Sequence, residues 1–154
     1  MEYKKDIRTK NLTLRDIHVG DWVQVWSEAT ERYSPPLKII SICDDGTIYF
    51  ALSDEERLTP WEEDIKNVDA LPITDDLLKG FGFDLSEPTE EWGYTYIRVS
   101  YKGVYVGHLK YTDDKEVSLQ VHRGICLFMH ELIEYNHRNH IDMNFEWKGV
   151  KNGN

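Results

Sequence analysis

Residues 71–83 read Leu-Pro-Ile-Thr-Asp-Asp-Leu-Leu-Lys-Gly-Phe-Gly-Phe, and the stretches on either side are built of short β-forming runs cut by turn residues. Within the segment, Thr74 can cap a helix whose first turn holds Asp75 and Asp76, where negative charge suits the helix dipole. Leu77, Leu78 and Phe81 form an apolar stripe, and Gly80 and Gly82 let the chain stop and turn. A helix this short is marginal alone in water. The spacing therefore predicts a clamp helix docked between two β units.

Before it, residues 1–12 are polar and read as a loose lead-in. Val19-Gly20-Asp21-Trp22-Val23 then opens a strand, with the turn at Gly-Asp and Val23 directed into a core. Along residues 22–26 the side chains alternate, so Val23 and Val25 share one face while Trp22, Gln24 and Trp26 share the other. Residues 37–42 form the next strand, Asp44-Asp45-Gly46 a turn, residues 47–52 its hairpin partner, and residues 63–68 a closing strand. The charged residues 54–56 and 62–64 read as solvated loop. Four or five short strands at this spacing fit an SH3-like barrel.

After residue 83, residues 84–91 read as a polar loop. Residues 93–101, 104–111 and 116–122 are rich in aromatic and β-branched side chains and are separated by Lys102-Gly103 and by residues 112–115, the pattern of an antiparallel meander. Ile125, Phe128, Met129, Leu132 and Ile133 fall on one helical stripe, which predicts a helix over 125–139 lying on that meander. Residues 142–147 read as an extended segment and 148–154 as frayed.

The chain has 154 residues and a formal charge of −10, with 9 basic against 15 acidic residues through residue 70 and 9 against 13 after it. The acidic excess runs through both halves, which counts against sequence-independent nucleic-acid binding. The first residues carry no apolar leader, and no run reaches membrane-span length. Cys43 and Cys126 stand in no paired motif and read as two reduced thiols. These features predict a cytoplasmic protein without a membrane partner.

Three constellations bear on chemistry. Trp22, Trp26 and Tyr49 can form an exposed aromatic strip for a peptide, although the same rings could instead pack against the second half. His130, Glu134 and His137 stand at i, i+4 and i+7 on one helical face, a spacing that can hold a divalent metal. The segment His130-Glu131-Leu132-Ile133-Glu134 has Glu where the zinc helix His-Glu-x-x-His has its second ligand. Cys126 and His130 stand four residues apart on the same expected helix, a nucleophile–base spacing that lacks an orienting third group. No phosphate-binding loop, dinucleotide fingerprint or serine elbow occurs.

Leu14-x-x-Ile17-x-Val19-Gly20-Asp21-Trp22-Val23, Glu63-Asp64-Ile65, residues 71–83 and Met129-His130-Glu131-Leu132 together span most of the chain. This order resembles a family of short uncharacterised proteins from gut anaerobic bacteria, their mobile elements and phages. Its members pair a Gly-Asn/Asp barrel start with a Pro-Leu-Thr…Leu-x-x-Phe-Gly-Phe linker and a Val-His-x-Leu-Gln helix. Here Ile133-Glu134 replaces the Gln-rich continuation, and the Leu-Thr-Gly ending is missing. The resemblance implies a cytoplasmic accessory protein and transfers no catalytic residue.

The sequence thus predicts an α+β protein: an N-terminal SH3-like β-barrel over 12–70, a linker with a short helix over 71–83, and an antiparallel β-meander packed with one main α-helix over 84–147. The leading function is a non-enzymatic protein- or peptide-binding module using Trp22, Trp26 and Tyr49, with no cofactor. The alternatives are a metal-dependent hydrolase using His130, Glu134 and His137 with Glu131 as base, and an acidic decoy that mimics nucleic acid.

Overall fold

The computed structural model describes residues 7–51, 61–112 and 116–149. They form antiparallel β-sheets with two α-helices, an α+β arrangement, and the chain divides into compact units Met1–Leu71 and Pro72–Asn154. The segment expected as a linker is therefore split at its start, and its helix belongs to the second unit. Of the charged loops expected in the first half, residues 54–56 lie outside the described residues.

The first unit holds β1 (Trp22–Ser27), β2 (Arg32–Tyr33), β3 (Leu37–Ile42), β4 (Thr47–Ala51), β5 (Trp61–Asp64) and β6 (Val68–Asp69), with one 3-10 turn (Ile65–Asn67) before β6. The strand order is β2-β1-β3-β4-β5, and β6 returns to pair with Gln24 and Val25 of β1. Among the described residues these pairings trace an open path, and no closed barrel is found. The two residues of β6 are both used against β1, and β5 pairs only with β4. Alternation works as expected on the inward face, where Val23, Ile39, Ile48 and Phe50 are fully buried.

The lead-in is not loose over its described part. Leu12 is buried and its N–H donates to the Val68 carbonyl at 2.9 Å. Arg8 reaches the fully buried Asp69 through two hydrogen bonds, Nε to Oδ2 at 2.8 Å and Nη2 to Oδ1 at 3.0 Å. The same carboxylate accepts from Tyr33 Oη at 2.6 Å and Asn11 Nδ2 at 3.1 Å. A buried charge that receives four donors is compensated, and such a bidentate Arg–carboxylate pair fixes geometry as well as charge.

The second unit begins with α1 (Asp75–Gly80) and continues through β7 (Phe83–Leu85), β8 (Thr89–Glu91), β9 (Tyr94–Tyr101), β10 (Val104–Tyr111), β11 (Val117–Val121), β12 (Gly124–Cys126) and α2 (Met129–Arg138). The sheet order is β12-β11-β10-β9-β7, with β8 also on β9. The expected meander is thus its centre. The loop expected at 84–91 contributes to two short strands, and the expected helix gives up residues 125 and 126 to β12. Ile97, Val99, Tyr101, Leu109 and Leu119 supply the buried face of the sheet, while Met129 and Leu132 are the buried apolar residues of α2. Phe145 lies 5.2 Å from both Phe83 and Tyr101 and 6.3 Å from Phe81, ring centre to ring centre, so the segment after α2 completes an aromatic cluster without forming a strand.

Thr74 caps α1, its Oγ1 accepting from the Leu77 N–H at 3.1 Å. Replacing it with alanine should cost about 1 kcal/mol, read as a lower urea midpoint with an unchanged slope.

Candidate functional site

The aromatic strip expected on β1 and β4 is not assembled as an exposed surface. Trp26 is only 7% exposed and meets Tyr33 edge-on, with ring centres 4.9 Å apart. Gln24, on the same strand face, is buried and donates from Nε2 to the Ala70 carbonyl at 3.0 Å. Residues 33 and 70 therefore cover the end of the face that alternation assigned to solvent. Trp22 and Tyr49 are half-buried on β1 and β4, with β3 between them. A hydrogen bond to Glu62 raises the Tyr49 hydroxyl above its ordinary pKa. Nothing within residues 22–26 distinguishes a solvent face from one covered by residues far along the chain.

The α2 face expected to bind metal is divided by burial. His130 is 6% exposed, and its ring stacks on Phe128 at 5.9 Å. Glu134 is exposed and faces Arg138, at 3.6 Å, while His137 is exposed. Glu131, the expected base, accepts the Leu127 and Phe128 N–H groups at 2.9 and 3.0 Å and so starts the helix. Among the described residues, no three His, Cys, Asp or Glu side chains are grouped to hold an ion. Helical spacing put these residues on one face, but buried packing at the first turn removed His130 from it.

The Cys126–His130 spacing fails for a related reason. Cys126 belongs to β12 and His130 to α2, so they do not lie one helical turn apart. Burial, aided by the charge of Glu131, pushes the Cys126 thiol up to about 11. The thiolate is disfavoured at neutral pH, the reverse of what a nucleophile needs. Iodoacetamide at pH 8 should therefore label the half-buried Cys43 well before Cys126. Because the folded thiol titrates above the unfolded value of 9.0, its contribution to stability is complete below pH 9 and falls as pH rises toward 11. Labelling of Cys126 should accelerate over that same range.

The cleft with the geometry of a binding site lies between β12 and α2. It has a volume of about 370 Å³ and is lined by Val121, Arg123, Ile125 and Cys126 on the sheet side and by Tyr135 and Arg138 on the helix side. Glu131 and Glu134 also border it. β12 ends its sheet and, among the described residues, pairs only with β11. Ile125 at its centre is 61% exposed, and Leu127 just beyond is 48% exposed. The Ile125–Ile133 stripe concealed this site, because it reads the strand and the helix as one element. Gly124 followed by β-branched Ile125 was the available signal for a strand.

Comparison with protein-family models, with curated proteins and with solved structures gives no match to this chain. No described helix is long and apolar enough to cross a membrane.

Proposed function

We propose that this chain is a non-enzymatic protein-interaction module that takes an extended peptide along β12, beside α2. The observation that carries this reading is an end strand whose residues 124–126 pair only with β11 among the described residues, the next bridge being that of Phe128 with Pro72, and which borders a cleft of about 370 Å³. An added strand satisfies backbone donors and acceptors along such an edge, and its alternate side chains enter the adjoining groove. Val121, Ile125 and Tyr135 offer apolar contact, while Arg123 and Arg138 set a polar rim. The cleft lies at the small end of ligand pockets, about 300–1,000 Å³, a size suited to a few peptide side chains.

The first unit is, on this reading, an SH3-like barrel acting as scaffold. Its support is topological: the last strand pairs with the first, and a 3-10 turn leads into it. Two unpaired cysteines fit a reducing compartment, and the cytoplasm is the location assigned.

The test is selection of displayed random peptides on the full chain, followed by amide-shift mapping of the tightest binder. Shifts should concentrate on residues 121–126 and 131–139, and Ile125→Glu should weaken binding about tenfold or more. Shifts around Trp22 and Tyr49 would refute the cleft, and failure to enrich any peptide would refute the interaction module.

A further inference from the structure

The β8–β9 hairpin turns through Trp92 and Gly93, since Glu91 pairs with Tyr94 and the two residues between them have φ of 56° and 79°. Two-residue hairpin turns with both φ values positive favour Asn, Asp and Gly. Gly93 fits that requirement. Trp92 does not, because a bulky side chain in the left-handed region strains the backbone. The ring also finds no burial: Trp92 is 90% exposed, more than any other exposed large apolar residue described. A large indole held in water forgoes the burial that makes Trp valuable in cores and interfaces. Strain and exposure are separate costs, and they meet at one residue.

The charge around the tip indicates what would cover it. Glu90 and Glu91, the two residues before Trp92, are both exposed, and residues 86–93 contain no Lys or Arg. On the neighbouring β10, Lys110 holds its Nζ 4.1 Å from the centre of the Tyr94 ring. The tip is therefore an apolar ring on an acidic hairpin, a combination that disfavours anionic lipid and nucleic-acid backbones.

We propose that Trp92 is a docking anchor that inserts into an apolar slot rimmed by Lys and Arg on a partner protein. Interface hot spots are enriched in Trp seated in desolvated pockets, and an acidic collar complements a basic rim. The left-handed turn holds the indole at the end of the hairpin before any partner arrives, which lessens the ordering cost of binding. This surface uses different residues from the β12–α2 cleft and stands without it.

The test compares the full wild-type chain with Trp92→Asn and with the Glu90→Lys/Glu91→Lys pair. Asn suits the left-handed position, so Trp92→Asn should not lower the melting temperature. A benzophenone amino acid at position 92, photolysed in the native cells, should crosslink one protein, and mass spectrometry should place the adduct in an apolar pocket flanked by Lys and Arg. That protein, purified, should bind Trp92→Asn and the charge-reversed pair at least about 30-fold more weakly than wild type, and more weakly as salt rises. Four results would each overturn the proposal: no adduct, an adduct only with a second copy of this chain, a partner whose affinity is indifferent to Trp92, or Trp92-dependent binding to phosphatidylcholine vesicles. A fall in melting temperature for Trp92→Asn would also overturn it, by showing that the ring serves the fold.

Discussion

Asp69→Ala is expected to destabilise the first unit by about 3–5 kcal/mol. The carboxylate is fully buried and accepts from Arg8, Tyr33 and Asn11; its loss leaves Arg8 Nε and the Tyr33 hydroxyl without this acceptor, while Asn11 Nδ2 keeps the Val68 carbonyl at 2.9 Å and Arg8 Nη2 keeps the Lys66 carbonyl. The Arg8 side chain is still 32% exposed and can rehydrate partly, which places the effect toward the lower end of that range. Tyr33→Phe removes one neutral donor to Asp69 and the acceptor of the Thr9 N–H but leaves the charge paired, so it should cost less, about 1–2 kcal/mol. Urea melts of both variants separate the charged contribution from the neutral one. Burial first, and then the hydrogen bond to Asp69, raise the Tyr33 hydroxyl above its ordinary value of 10.0. The folded chain therefore holds that proton more tightly than the unfolded chain does. Its contribution is complete below pH 10 and drains away as pH rises through the folded value, and Tyr33→Phe should flatten that alkaline decline.

This network was invisible in the sequence because its members stand 61, 58 and 36 residues apart from Asp69. Local chemistry was legible. Thr74 caps α1 because the hydroxyl, the amide it accepts from and the acidic first turn lie within four residues. Periodicity placed β1, β3, β4 and β9 to β11, although burial alternates cleanly in β4, covers both faces of β1, and is interrupted by register shifts in β3 and β10. It misled at residues 125–128, where the exposed Ile125 of a short strand and the half-buried Phe128 before α2 fall in step with the apolar residues of the helix and imitate one 3.6-residue repeat. β7 and β8 escaped because strands of three residues, Phe-Asp-Leu and Thr-Glu-Glu, are too short to carry a periodic signal. The candidate cleft is built from that misread junction. Its residues were all in view, but the edge strand that gives them a function was not.

Gly107→Ala should destabilise the second unit by about 3 kcal/mol, the upper end of ordinary overpacking. A Cβ on Gly107 would stand 2.2 Å from the Gln120 carbonyl oxygen and 3.1 Å from its carbon, both in the backbone of β11. A flexible side chain could swing aside, but a strand hydrogen-bonded on both edges can relieve the clash only by shifting as a unit. β11 is held to β10 from His108 to Tyr111 and to β12 from Leu119 to Val121. Gly80 provides the contrast. Its added Cβ would meet the Trp147 ring at 2.2 Å, but that ring is a side chain near the end of the chain and can move, so Gly80→Ala should cost less, about 1–2 kcal/mol. The same displacement of β11 carries β12 and the floor of the cleft with it. Gly107→Ala should therefore weaken the selected peptide even under conditions where the variant remains folded, whereas Gly80→Ala should leave peptide affinity unchanged. Equal loss of affinity in the two variants would show that the cleft responds to general loosening of the second unit and not to the position of its edge strand.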